Sequence, residues 1–504
     1  SNFETLQFDV KVVPDAYPEL EVLAVSDSLR EVGLEFAGRT SDDYGIRRLE
    51  LVYFKMDDPN TKYTKKMEVP KGSEFSFYEE FPGELELEQG VPYGLYFQAF
   101  DNDGVNGSKK TLSKEFSFRK KTREEIGQEA LEFQRNQIQN IEKSIQKQQI
   151  QNKNLEEIEQ NLQNTKDINW SDKKKIDQFI RRQEQYKQMM LRQADQLQKN
   201  LDQQPDDPKN IQDKKEALKE RIEELKKLDE EQKILEELKK LANKLNKEDL
   251  LKKVQKLATQ NKQEERSLER ILELTKRFYV EQKTMQIASK LDQLAKKQDE
   301  LTKKEKDSMQ EQKGLSKEFE EIKKELNTLE EDNKALKEPM SIPETKEQQQ
   351  KIQEALKESE DTKKDKIEKK NSQQKSSKEL KELSKQLQNA MMQMEGEMQE
   401  ANEESLRIIL ENLLNFSFQQ EHLMDQFSKI DVTHPDFGKE LKNQHNLKTY
   451  FEHIDDSLYV LSMRLPEISV KIQTDLTEAH YNICLLYTSD AADDSLRVDL
   501  GGRR

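Results

Sequence analysis

Cysteine and tryptophan are almost missing from this chain of 504 residues, which contains one of each, Cys484 and Trp170. A lone cysteine cannot form a disulfide within the chain, and low cysteine content is compatible with any redox compartment. The sequence also lacks an apolar run of about 18 residues, the length that a membrane-spanning helix needs. We therefore expect neither a disulfide framework nor a transmembrane helix within these residues.

The motifs of common catalytic sites are missing as well. There is no Gly-x-x-x-x-Gly-Lys-Ser/Thr phosphate loop, no His-Glu-x-x-His and no Gly-x-Ser-x-Gly. Scattered histidines and a group of methionines are the remaining metal candidates, but helix-surface and core positions suit these residue types better. They are His422, His434, His445, His453, His480, Met391, Met392, Met394 and Met398. The sequence thus predicts a protein with no catalytic site and no cofactor.

Acidic residues outnumber basic ones by 101 to 85, which gives a net charge of −16. Nucleic acid binding needs a basic surface that neutralises phosphates. No basic patch interleaved with aromatic residues occurs, so the sequence argues against a nucleic-acid partner.

Glycine, proline and aromatic residues are concentrated in residues 1–118, which hold 9 of the 15 glycines, 6 of the 12 prolines and 18 of the 34 aromatics. From residue 120 onward Lys, Glu and Gln dominate, and no glycine occurs between Gly127 and Gly314. The first composition is typical of short strands and turns, and the second of long helices. The predicted fold class is therefore mainly α, with an N-terminal β domain.

Apolar residues alternate with polar ones in the first region, as in the runs 49–53 and 93–99. A period of two buries one face of an antiparallel sheet, and about seven such runs predict a β-sandwich over residues 14–119. The run from Leu87 to Ala99 resembles the penultimate strand of fibronectin type III and related immunoglobulin-like domains. The resemblance implies that the hydroxyl of Tyr93 fixes a corner of the sandwich beside Leu87.

Two acidic loops are expected at one end of this sandwich. One carries Asp42 and Asp43, and the other carries Asp101 and Asp103. Clustered carboxylates are ligands that Ca²⁺ prefers, so these four residues are a candidate calcium site. Their spacing is not that of an EF-hand, and Asp is also common in plain turns. The turn interpretation is favoured.

Residues 120–204 are predicted to form a pair of long helices, 123–164 and 171–203. Ser171 is the expected N-cap of the second helix. Trp170 is expected to pack across the elbow, the short connection between the two helices. Farther on, narrow apolar stripes such as Leu218 and Ile222 predict a coiled-coil arm over 209–338. Such a stripe needs a partner helix, within the chain or from another copy, because alone it buries too little apolar surface.

Residues 339–380 are predicted to be a low-complexity linker or a lone solvated helix, because their apolar content is too low for a core. The region 381–483 predicts an antiparallel helical hairpin, since two heptad seams flank a short segment, 431–438. Apolar residues in each seam step by four and three. The seams contain Ile409, Leu413, Phe416, Gln420, Leu423, Phe427 and Ile430, and Leu447, Phe451, Ile454, Leu458, Leu461 and Leu465.

Both ends of the chain have unusual features. Residues 484–504 resemble translated adapter sequence from transposase-based sequencing, because the peptide from Cys484 to Asp493 back-translates in frame to an adapter end. We therefore expect the natural protein to continue differently after Ile483. The chain starts at Ser1 without Met, as expected of a fragment, and residues 1–13 are predicted to be the end strand of a preceding module or a first edge strand.

Several segments together resemble a large uncharacterised family of Bacteroidota. They include Phe100-Asp-Asn-Asp-Gly-Val-Asn-Gly-Ser108 and Ile168-Asn-Trp-Ser-Asp-Lys-Lys-Lys175, with residues 1–19, 41–45, 182–187 and 453–459. The resemblance implies a membrane-anchored protein with N-terminal transmembrane helices, an immunoglobulin-like region and a long Gln/Glu/Lys-rich coiled coil. It also implies that the soluble part is periplasmic. Some members are labelled ATPases, which the residues do not support.

Three functions remain open from the sequence. The favoured one is a non-enzymatic, membrane-tethered scaffold, attached through segments before Ser1 and binding protein partners or other copies through its coiled-coil helices. The second is a chaperone-like or adhesive module that uses the helical arms or sandwich loops. The third is an enzyme whose catalytic part lies outside these residues.

Overall fold

The computed structural model describes residues 15–25, 33–103, 107–164, 170–204, 209–226, 234–240, 247–303, 309–360, 366–430 and 434–469, and ten residues between 471 and 483. The predictions for residues 1–13 and 484–504 lie outside this part of the chain. Two compact units are present, Ser1–Ile126 and Gly127–Arg504. The mainly α fold class with an N-terminal β domain is confirmed.

The N-terminal unit is a sandwich of two antiparallel sheets. One sheet has the order β1-β2-β5 and the other the order β4-β3-β6-β7, with β8 also paired to β6. The strands are β1 (Glu19–Val25), β2 (Leu34–Ser41), β3 (Ile46–Lys55), β4 (Asp58–Met67), β5 (Glu74–Phe81), β6 (Pro92–Asp101), β7 (Lys110–Leu112) and β8 (Phe116–Arg119). This arrangement confirms the sandwich that the period-two runs predict, with its last described strand ending at Arg119.

Aromatic residues fill the space between the two sheets. Phe36, Phe81 and Phe97 are fully buried, and the rings of Phe36 and Phe97 meet edge to face at 5.2 Å between centroids. The hydroxyl of Tyr93 accepts a hydrogen bond from the backbone N–H of Glu88 at 3.3 Å, next to buried Leu87. The predicted corner interaction of Tyr93 is confirmed.

Most of the described residues after Arg119 are helical. The helices are α1 (Arg123–Asn164), α2 (Trp170–Gln203), α3 (Lys209–Lys226), α4 (Lys247–Lys303), α5 (Met309–Lys334), α6 (Lys346–Glu360), α7 (Lys366–Lys429) and α8 (Phe437–Ser462), and residues 234–240 are also helical. At 1.5 Å per residue, the 57 residues of α4 extend about 85 Å and the 64 residues of α7 about 95 Å.

Side chains at the start of α1 satisfy its first backbone N–H groups. Thr122 and Glu125 form a capping box, in which each side chain accepts a hydrogen bond from the backbone N–H of the other, at 3.2 and 2.9 Å. The proposed N-cap Ser171 instead lies inside the first turn of α2, which begins at Trp170. The Trp170 side chain is 75% exposed, so the expected packing across the elbow is wrong.

Helix α4 is the common partner of the other helices in this unit. Its N-terminal part shares a buried cluster with α1, α2 and residues 234–240. Its middle packs with α1, α2 and α3, where Leu218 and Ile222 are buried. Its C-terminal part packs with α5, α6 and α7. The narrow stripes predicted over 209–338 therefore find their partner helices within the same chain.

The predicted linker over 339–380 is wrong, because most of this segment is helical and packed. Ile352 and Leu356 of α6 are buried in the same cluster as α4. The first half of α7 buries small serines alongside leucines such as Leu380, and the serines allow close approach to α4. Ser377 and Ser384 donate hydrogen bonds to the carbonyl oxygens of Ala295 and Ala288, at 3.2 and 2.7 Å. Helix α7 continues without a break across the predicted boundary at 380/381.

The C-terminal half of α7 and the antiparallel helix α8 form the predicted hairpin. Phe416 and Phe451 meet across the seam at 4.7 Å between ring centroids. Gln420 and Gln444 form a reciprocal pair, in which each side-chain amide donates to the other at 3.0 Å. Eight of the predicted seam residues are buried in one cluster, while Leu413, Phe427 and Leu465 lie at its edge. The hairpin prediction is confirmed.

Candidate functional sites

Two carboxylates of the candidate calcium site accept hydrogen bonds from backbone N–H groups of their own loops. Asp42 accepts hydrogen bonds from the backbone N–H groups of Tyr44 and Gly45, at 3.1 and 2.9 Å, and Gly45 has a φ of 112°, a conformation that favours glycine. Asp101 accepts from the N–H groups of Asp103 and Lys109, at 3.2 and 2.9 Å. Asp42 and Asp101 therefore act as turn residues, as the favoured interpretation predicts.

The amine of Lys109 lies beside these acidic loops. It contacts the carboxylate of Asp15 at 2.5 Å and the carbonyl oxygen of Asp15 at 2.7 Å. The hydrogen bond with Asp15 raises the pKa of Lys109, and the charges of Asp15, Asp101 and Asp103 raise it further. Asp43 is exposed and accepts a long hydrogen bond, 3.5 Å, from the N–H of Ala16. Within the described residues, no three His, Cys, Asp or Glu side chains form a group that could hold a metal ion.

The candidate histidines and methionines occupy ordinary surface and core positions. His422, His434, His445 and His453 are exposed. His480 lies 3.8 Å from Glu452 and stacks on Phe451 at 6.4 Å, and burial lowers its pKa. Met394 is buried between α4 and α7, Met391 and Met398 pack at the edge of that cluster, and Met392 is 69% exposed. The methionines therefore serve mainly as core residues.

Charged groups join the base of the hairpin to α4, an interaction that the sequence patterns do not reveal. Arg266 contacts Asp455 at 2.5 Å and Asp456 at 2.8 Å. Arg270 donates to the carbonyl oxygen of Ser462, the last residue of α8, and to that of Ile468 beyond it. Arg270 is only 1% exposed, and this burial lowers its pKa to about 10, so the group stays charged at neutral pH. It serves as a structural clamp for the end of α8.

An ion pair between half-buried Lys214 and buried Glu281 links α3 to α4. The amine of Lys214 contacts both carboxylate oxygens of Glu281, at 3.0 and 2.9 Å. Burial raises the pKa of Glu281, whereas the Lys214 charge opposes this effect. The pair lies between the packed faces of α3 and α4, so its role is to hold these two helices together.

The outward face of the hairpin is the most unusual surface of the helical unit. Leu406, Leu410, Leu414 and Phe418 of α7 are 37, 58, 51 and 67% exposed; we call these four residues the outer ridge. The inward residues of the same helix, such as Phe416, face α8. The sequence signal was present as a second row of apolar residues spaced by four, but the stronger heptad seam obscured it.

Comparisons with protein-family models, curated proteins and solved structures found no match. None of the described helices combines the length and apolar composition needed to cross a bilayer.

Proposed function

We propose that this chain is the soluble part of a non-enzymatic, membrane-tethered scaffold that binds other proteins through its helical unit. The outer ridge carries this proposal, because it presents large apolar side chains on a helix whose opposite face is already packed against α8. A contiguous apolar patch on a protein surface is typical of an interaction site.

The length of the helices supports the same function. Helices α4 and α7 are each longer than the usual globular helix, and they pack side by side over one shared cluster. Paired long helices hold distant surfaces in a fixed relation, which a scaffold requires. The membrane tether and the periplasmic location rest on the resemblance to the Bacteroidota family.

Site-specific photocrosslinking in the native host tests the scaffold. A photoreactive phenylalanine derivative at Phe418 is expected to give a crosslinked adduct of discrete mass in the membrane fraction. The matched control is the same derivative at Ile150 of α1, which is 58% exposed but lies outside the outer ridge, and it should give none. Recovery of the protein in the soluble fraction, with no adduct from either position, would refute the scaffold.

A chaperone-like or adhesive module is a second candidate, favoured by the same exposed apolar side chains. Such a protein binds many unfolded chains with little sequence preference. It would suppress the aggregation of an unrelated denatured protein, and this suppression would weaken when Leu410 and Leu414 are changed to serine. A scaffold with a specific partner would give no such suppression.

A further inference from the structure

Exposed apolar side chains are unevenly distributed over the helical unit. In the described parts of α1 and α2 and in α7 before residue 400, they occur singly, as Ile150, Trp170, Ile367 and Met392. Single exposed apolar residues are normal on protein surfaces. The outer ridge, by contrast, places four within 13 consecutive positions of α7, and Met424 follows at 58% exposure. This concentration marks a surface that a partner covers.

The spacing within the outer ridge indicates the shape of that partner. Leu406, Leu410, Leu414 and Phe418 follow one another at intervals of four, so they form a row of the kind that fits between the rows of a second helix, at a crossing angle of about −50°. The heptad seam of the same helix is occupied by α8. The free row therefore suits a helix that crosses α7 obliquely.

The charges around the outer ridge indicate the chemistry of the partner. Glu403, Glu411 and Glu421 are exposed on the same side of α7. The basic residues there are already paired within the helix, Arg407 with Glu404 at 3.3 Å and Lys429 with Asp425 at 2.5 Å. A second copy packed through the same ridge would bring like charges together, which disfavours binding. A cationic helix would meet complementary charge.

We infer that the outer ridge binds a cationic amphipathic helix of another protein, with apolar residues spaced by four and lysine or arginine on both flanks. This inference rests on the proposed scaffold function and specifies its partner. The apolar row supplies the contact area, and the acidic rim selects the cationic flanks.

A designed peptide tests the inference on the full chain. The probe is a fluorescein-labelled helix of about 18 residues, with leucine at every fourth position, lysine on both flanks and alanine elsewhere. Fluorescence anisotropy should show binding that weakens as salt rises, because the flanking charges are exposed. The double variant Leu410→Ser/Leu414→Ser should weaken binding about tenfold or more. The variant Glu411→Lys/Glu421→Lys should also weaken it and reduce its salt dependence.

The controls separate this partner from other occupants. Met392→Ser removes an exposed apolar residue of the same helix outside the ridge, so it should leave binding unchanged, and circular dichroism should show equal helicity for all variants. Equal binding of a scrambled peptide would overturn the inference in favour of a non-selective surface. Self-association that the double serine variant abolishes, without peptide binding by the original chain, would overturn it in favour of a second copy.

The two proposals fail in distinguishable ways. Loss of peptide binding together with a persistent crosslink at Phe418 in cells would overturn only the cationic helix as partner. Absence of the crosslink and of membrane association would overturn the scaffold itself.

Discussion

The sandwich and the helical unit bury different kinds of side chain in their interiors. Between the sheets, the fully buried large residues are aromatic and aliphatic, including Phe36, Phe81 and Phe97. Along the helices, side-chain amides interrupt the apolar seams. Gln183 donates to Asn261 at 3.3 Å, and the reciprocal pairs Gln298–Gln312 and Gln420–Gln444 have distances of 2.9 to 3.0 Å. The sandwich core is thus mainly apolar, whereas the helical seams combine apolar residues with paired side-chain amides.

The difference follows from the groups that align neighbouring elements, which are backbone groups in the sandwich and side chains in the helical unit. Neighbouring strands are aligned by backbone hydrogen bonds, so the sandwich core needs no polar side chains to define one pairing. A helix satisfies its backbone internally, and a narrow apolar seam could slide by one heptad at low cost. A buried amide pair is satisfied in only one alignment, and this selects the register. The sandwich should therefore respond most to loss of aromatic volume, and the hairpin to loss of amide pairing as well.

Phe97→Ala is expected to have the largest effect on the sandwich. The ring is fully buried and contacts Phe36 and Phe77, so its removal leaves a cavity that costs about 3 to 5 kcal/mol. Urea unfolding of a fragment covering residues 1–126 measures the change. Tyr78→Ala, at a position 55% exposed, is the control and should cost much less. Similar losses for the two variants would contradict a concentrated aromatic core.

Phe451→Ala should destabilise the hairpin by about 3 kcal/mol, because this 2% exposed ring packs against Phe416. Hydrogen exchange of the α8 amides in the full chain should then accelerate about a hundredfold. Leu414→Ala truncates an outer-ridge residue of the same hairpin and should leave that exchange nearly unchanged. An equal acceleration would mean that the outer ridge is part of the core.

Gln420→Leu should destabilise the hairpin by about 1 to 2 kcal/mol, since it leaves the buried amide of Gln444 without its partner. The double variant Gln420→Leu/Gln444→Leu removes both polar groups and should recover most of that loss. Exchange of the α8 amides reports both variants. Additive losses in the double variant would show that the pair does not act as a unit.

Tyr93→Phe should cost the sandwich about 1 kcal/mol, because it removes only the hydrogen bond to the N–H of Glu88. The matched control is Tyr96→Phe, whose hydroxyl accepts from exposed Lys62 at 3.3 Å and should contribute little. Urea unfolding of the 1–126 fragment compares the two. If Tyr93→Phe were as stable as the unchanged fragment, the hydrogen bond of the Tyr93 hydroxyl would contribute nothing measurable to stability.

The smallest expected effect is a pH dependence from His480. Burial lowers the pKa of His480 below 6.5, against opposing attraction from Glu452 and Asp455. The folded chain therefore binds this proton less readily than the unfolded chain, so the contribution to stability is complete above about pH 6.5 and is lost as the pH falls below it. His480→Gln should remove that part of the pH dependence in chemical unfolding between pH 7.5 and 5.5. If the pH dependence of stability were the same in His480→Gln, a group other than His480 would be responsible for it.

Sequence patterns predicted the sandwich and the hairpin because both depend on periodicity. The period-two runs located the inward faces of β3 and β6, and the heptads located the seam between α7 and α8, including Gln420. For the segment 339–380, the low apolar content led to the wrong prediction of a linker. A count of apolar residues treats Ser377 as solvated, whereas against α4 its small size and its hydroxyl group make it a packing residue.

The candidate sites were predictable to a smaller extent. The turn role of Asp42 and Asp101 follows from local spacing, because most of the backbone N–H groups that donate to their carboxylates lie within a few residues in sequence. The pairing of Lys109 with Asp15 spans 94 residues, and that of Arg266 with Asp455 spans 189. No local pattern connects such residues.

The sequence by itself determined most of the strands and helices and the buried face of most of them, because backbone propensity and side-chain periodicity act over a few residues. Only the tertiary structure decided that α4 is the shared partner of the other helices in its unit, that Arg270 holds the end of α8, and that none of the described helices covers the outer ridge. Many seams in this chain are chemically alike, and the choice among them depends on contacts between residues far apart in sequence.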